Sequence, residues 1–347
     1  MGLQPSRTQV NRWFWNETLA VELLRALGPP ALASWFLPHS LQDIDERSSI
    51  GTSDCRSTET LDLRSSGELM SSAHDVDHLP ELAEIQSPAH IRQIYAEIRQ
   101  WTAAPIVALI FRHLATTPGV LEEVWDAIGP FFRAGRIQEV AWRVTRETAP
   151  DNLMPTVEAH ARQAVGLTDA ATDQLANLLD AYNRANPVNL LSMLSLLARM
   201  RSNDSTRKLD LPDWVPPHPI PSQLPAMTPL NIIPAHLRRL INDLGVGDRS
   251  RLNPVVPSLY RHLTGWPGYL GVIHVTLVPR FRDGSIATAS LRVQEAMKAE
   301  AGFIAQHLPP LRHLPAAPHV EATLVHFTTT IIPQMIVIGQ VLRGALK

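Results

Sequence analysis

The stretch Tyr182–Met200, YNRANPVNLLSMLSLLARM, sets a polar Asn186-Pro187 step at the head of an apolar run. A carboxamide held against apolar walls can orient a water or a substrate group, because it both donates and accepts. The same step also predicts a helix start, since Asn is a favoured N-cap and Pro a favoured first helical residue. Ser258 and Tyr260 offer hydroxyls, although Ser258 after Pro257 reads equally as a turn residue. The fourteen histidines are scattered without ligand spacing, so no metal is expected. The single cysteine, Cys55, excludes a disulfide framework, a redox pair and thiol-based peroxide reduction. A Gly-rich phosphate loop, His-Glu-x-x-His and Gly-x-Ser-x-Gly are all absent.

These residues need elements to position them, and the composition bounds what those are. With 347 residues, 45% of them apolar, the chain can bury one large core or two smaller ones. A net charge of −2 gives no electrostatic grip on nucleic acid or an anionic membrane. One cysteine fits a reducing compartment, so the cytoplasm is the expected location. Leu19–Leu27 carries Glu22 and Arg25, which argues against a signal peptide. The uncharged run Ala322–Leu342 has spanning length, but Pro333, Gln334, Gln340, His326 and four threonines favour a buried core helix.

Residues 1–79 are Ser/Thr-rich with little apolar periodicity and read as a disordered extension, with a short amphipathic helix at Thr18–Leu27. Met70 is the expected natural start, residues 1–69 being an upstream extension of the reading frame. Beyond it lies an internal repeat. RHLATTPGVLEEVWDAIGPFFRAGRIQEVAWRV (Arg112–Val144) and RHLTGWPGYLGVIHVTLVPRFRDGSIATASLRV (Arg261–Val293) match at 13 of 33 positions. About two matches would arise by chance from ordinary residue frequencies. The chain therefore divides into repeat 1 (80–205), a Pro-rich linker (206–225) and repeat 2 (226–347).

Both repeats read as helical. Ile91, Ile94, Tyr95 and Ile98 make one apolar helix face, and Thr168-Asp169 reads as a cap. YLGVIHVTLV is ambiguous by period, but its partner VLEEVWDAI has helical spacing, so both are helices. Pro118-Gly119, Pro267-Gly268, Gly135 and Gly284 mark turns. Two such repeats can pack about a pseudo-twofold axis, each burying the other's apolar face.

The duplication sorts the candidates. Arg112/Arg261, His113/His262, Arg133/Arg282 and Arg143/Arg292 occur in both halves and read as architecture. Asn186 faces Ile332 across the repeat, Ser258 faces Leu109, and Tyr260 faces Phe111, so these three are the functional candidates.

Three segments carry a family resemblance: IYAEIRQWTAAPIVALIFRHLATTPGVLEEVW, LDAYNRANPVNLL and NPVVPSLYRHLTGWPGYL. In order and spacing, about three quarters of the chain resembles the group I, or DehI-type, 2-haloacid dehalogenases. The resemblance implies an all-α pseudo-dimer of two tandem AhpD-like helical repeats joined by a Pro-rich linker, often assembled into homodimers. It implies cofactor-independent hydrolysis of short 2-haloalkanoic acids, so a small-molecule carboxylic acid is the expected ligand. In that family an Asp activates the attacking water, an Asn helps hold it, and a Ser with backbone N–H groups takes the carboxylate. The Asn falls on Asn186 and the Ser on Ser258, whereas the Asp falls on Leu259 and an aromatic wall residue on Ile106. Leucine cannot accept a proton, so the family's mechanism lacks its base in this chain. Asp243 and Asp248 lie upstream as imperfect substitutes, while Tyr182, Asn183, Tyr260 and His326 are polar residues within sequence reach of the pocket. Two expectations follow: a divergent dehalogenase-like hydrolase, or a non-catalytic binding protein that keeps the pocket.

Overall fold

The computed structural model describes residues 79–150, 153–221, 223–245, 256–311 and 313–347. The N-terminal extension, the short helix at Thr18–Leu27, Met70, Asp248 and Asn253-Pro254 lie outside the described residues.

Those residues are all-α. Helix α1 (Ala89–Thr102) buries Ile91, Ile94, Tyr95 and Ile98, the face its spacing predicts. It is followed by α2 (Leu109–Leu114), α3 (Val120–Arg133), α4 (Arg136–Glu147), α5 (Ala159–Ala164) and α6 (Asp169–Met200). The second half supplies α7 (Ala235–Asp243), α8 (Ser258–Leu263), α9 (Pro267–Arg282), α10 (Ser285–Ala305), α11 (Ala317–His326) and α12 (Ile332–Ala345). A π-helical turn, Phe327–Ile331, joins α11 to α12.

Helix pairings in one half recur in the other: α1 and α2 pack on α3 as α7 and α8 pack on α9. The centre is α4, α6, α10 and α12, with α6 against each of the other three. YLGVIHVTLV is helical, within α9. Gly135 and Gly284 both precede helices with φ of 65° and 80°, a left-handed conformation that glycine enters without a Cβ clash. Gly119 likewise precedes α3 with φ of 82°. Pro267-Gly268 does not form a turn, because the chain is already helical there and Pro267 occupies the first helical position.

The expected helix start at Asn186-Pro187 is corrected. Helix α6 starts 18 residues earlier, where Thr168 Oγ1 accepts a hydrogen bond from the Ala171 N–H at 3.3 Å. It then runs through Pro187 without a break. An interior proline costs about 3 kcal/mol. Burial offsets this: Ala185–Leu197 is buried on every side, as befits a helix at the centre of a helical fold.

Ala317–Ala345 is long and apolar enough to cross a membrane, yet 61% of its most apolar window is buried here, against α6 and α10. Among the described residues, 202–229 carry no helix. This linker docks along the fold: the Ile220 N–H donates to Ala103 O, and Trp214 lies 6.2 Å from Trp142 between ring centres.

Candidate functional site

A cavity of about 420 Å³ opens between the halves of the helical unit. The elements that meet there are the segment before α2, helix α2, the middle of α6, the start of α8, and the π turn with the first residues of α12. Its walls come in counterpart pairs: Ser258 with Leu109, Leu259 with Ile110, Asn186 with Ile332, and Asn189 with Met335. Three of these four pairs set an amide or a hydroxyl against an apolar side chain, and the fourth is apolar in both members.

Five of the six expected site residues meet in this cavity: Asn186, Ser258, Leu259, Ile106 and Tyr182. Tyr260 does not. It is fully buried, one residue round the short helix α8 from Leu259, and so lies off the lining face. Asn183 and His326 also fail to line the cavity. The Asn183 amide donates to Gly339 O at 3.1 Å, and His326 packs edge-on against Phe327. Asp243 is no substitute for the missing carboxylate, because it pairs with His274 at 2.8 Å and is not a lining residue.

The polar side is connected. Tyr182 stands one helical turn before Asn186 on α6, and Asn189 follows one turn after. Ser258 hydrogen bonds to the Tyr182 hydroxyl, whose titration burial pushes up, so it stays a neutral donor. Asn189 is 1% exposed and its Nδ2 has no partner within the protein. A buried amide donor without an acceptor costs about 1–3 kcal/mol, which a bound water or ligand would relieve.

His262 and His113 hold matching places in the sequence, yet the two differ. His113 Nδ1 is 2.7 Å from Pro80 O, and His113 lines no part of the cavity. His262 lines it, is 8% exposed, and hydrogen bonds to the Pro225 carbonyl. Its ring meets Tyr182 edge to face, 6.0 Å between centres. Burial pushes the imidazole down to about 4; the nearby Pro225 carbonyl opposes this, and the charges of Arg261 and Arg112 add to it. Arg112, also read as architecture, lines the cavity while bound to Glu81 at 2.7 Å. The signal for Asn189 was available, since Met335 is its counterpart; that for His262 was not, because identity across a repeat hides a difference of environment.

A consequence follows for stability. Unfolded His262 titrates near 6.5 and the folded group near 4, so the unfolded chain binds more protons between those values. The stabilisation from a neutral His262 is complete above about pH 6.5 and is lost as pH falls towards 4. We expect the His262→Gln variant to lose up to about 3 kcal/mol less than wild type over that interval, measured by urea denaturation at each pH.

No family model and no curated relative matches the chain. Solved structures do. A mutant D-2-haloacid dehalogenase superimposes with a TM-score of 0.63 at 14% identity, covering 77% of this chain and 96% of that one. A mutant in complex with D-2-CPA gives 0.60 at 14% identity, covering 77% and 94%. A D-2-haloacid dehalogenase in complex with L-LA gives 0.55 at 15%, covering 77% and 92%. The chain shares the fold of the D-2-haloacid dehalogenases. Within that fold this chain has Leu259, 1% exposed, where the family resemblance leads one to expect a carboxylate.

Proposed function

We propose that the cavity binds a short 2-substituted carboxylic acid and that the protein is a dehalogenase-like hydrolase acting on 2-haloalkanoic acids. The observation that carries this reading is the meeting of Asn186, Asn189, Ser258 and Tyr182 with apolar Leu109, Ile110, Ile332 and Met335 in one cavity of a dehalogenase fold. A 2-haloalkanoate has the same division. Its carboxylate needs donors, which Ser258 and Tyr182 supply, with Arg112 lending positive charge. Its carbon–halogen end suits the apolar side formed by Leu109, Ile110, Ile332 and Met335. The Asn186 amide is suited to hold the attacking water, and fixing a water at C2 removes orientational entropy from the reaction.

The test is chloride release from D- and L-2-chloropropionate by the full chain. We expect release with at least one enantiomer, and a fall of about 10²-fold in Asn186→Ile, which gives that position its counterpart's side chain. Absence of both binding and release would overturn the proposal. Leu259 favours a second reading, a carboxylic acid binding protein without turnover; calorimetric binding of 2-chloropropionate with no chloride released would establish it. The cytoplasm and a homodimer remain part of the proposal, and sedimentation of the purified chain tests the latter.

A further inference from the structure

Hydrolysis at a saturated carbon needs a proton acceptor beside the water, and Leu259 cannot serve. We propose that His262 is the general base of this cavity, taking a proton from the attacking water on its unprotonated ring nitrogen. This deepens the hydrolase reading above and rests on it. His262 lies three residues after Leu259 on α8, and both line the cavity. Residues so spaced are neighbours on a helix surface, so the basic group has moved by about one turn along the same wall.

The other acceptors are committed elsewhere. Glu84 is held by two bonds from Arg99, at 2.6 and 2.8 Å, and Glu81 pairs with Arg112 at 2.7 Å; both pairs stand where the cavity meets solvent. The groups that face His262 are Tyr182 from α6, Arg261 from its own helix, Arg112 from α2, and the Pro225 carbonyl. None of these is a carboxylate. The two cations favour the neutral ring, and a hydrogen bond to the Pro225 carbonyl holds the proton on one ring nitrogen, so the other is left to accept from a water. His113, in the same RHL context, lines no part of the cavity, so the basic function belongs to one half alone.

The step balances. Water oxygen forms a bond to C2, the carbon–halogen bond breaks, and halide leaves with the electron pair. One water proton passes to His262, and the imidazolium then releases it to solvent. The products are a 2-hydroxy acid, halide and one proton.

The experiment compares wild type, His262→Gln and His262→Ala, all as the full chain, for 2-chloropropionate binding by calorimetry and for chloride release against pH. Wild type is expected to bind and release chloride, with an acid limb near pH 4. His262→Gln should bind within a few-fold and lose about 10²–10⁴-fold in kcat together with that limb. Added imidazole should restore part of the loss in His262→Ala, which a merely structural role would not allow. If wild type releases chloride and His262→Gln keeps its rate and its acid limb, the base assignment is overturned while the hydrolase reading stands. If wild type binds but releases nothing, the base assignment fails and only the binding reading survives. If it neither binds nor releases, both fail.

Discussion

Leu259→Asp, introduced into the His262→Gln variant, restores chloride release by about 10²-fold over His262→Gln alone. The restored base would come from the position where the dehalogenase resemblance places one. Leu259 and His262 share a wall, so a carboxylate at 259 and an imidazole at 262 both face the space in front of the polar side of the cavity. The new carboxylate is not free of cost. Leu259 is 1% exposed, and replacing a buried leucine by a shorter, polar side chain costs about 4 kcal/mol. The double variant should therefore melt well below wild type yet turn over faster than its parent. In the single variant Leu259→Asp, where His262 remains, the carboxylate attracts the imidazolium. The His262 titration then rises from about 4 by about one to three pH units, followed by NMR of the ring protons. A double variant that folds and binds 2-chloropropionate but is as inactive as His262→Gln would show that this wall does not face the reacting carbon.

The helix faces were legible because burial writes a period of three and four into the sequence, as at Ile91, Ile94, Tyr95 and Ile98. Thr168 was legible as a cap because its hydroxyl answers a purely local need. Asn186-Pro187 misled for the complementary reason. Its local preference is to begin a helix, and only the packing of α6 against α4, α10 and α12 overrides that preference. The cavity was legible through asymmetry: wherever one repeat has a polar residue and the other an apolar one, the pair can mark a ligand. This rule selects Asn186 and Ser258, which line the cavity, would also select Asn189 opposite Met335, and selects Tyr260, which does not line it. It could not find His262. The two histidines sit in the same RHL sequence and each bonds to a proline carbonyl, and what separates them is that only His262 lines the cavity.

Gly268→Ala should destabilise the fold by about 3 kcal/mol, although the substitution normally favours a helix interior. Gly268 lies in the first turn of α9, and a Cβ there would stand 2.2 Å from the Val165 carbonyl oxygen and 3.0 Å from its carbon. The obstacle is backbone, so no rotamer change relieves it. Val165 closes α5 and Gly268 opens α9, so the glycine marks a close main-chain approach between these two helices. Its counterpart Gly119 meets Pro315 of the second repeat, where a Cβ would stand at an ordinary 3.4 Å from the ring. Steric relief at 268 requires α9 to shift away from α5. Helix α8, which carries Ser258, Leu259 and His262, packs on α9, so that shift also displaces one wall of the cavity. Gly268→Ala is thus expected to lower the urea midpoint and to weaken 2-chloropropionate binding together. Gly302→Ala, with nothing within 4 Å of its Cβ on α10, should raise stability by up to about 1 kcal/mol and leave binding unchanged. Equal effects from the two substitutions would mean that helix propensity, rather than the close approach of the repeats, governs both sites.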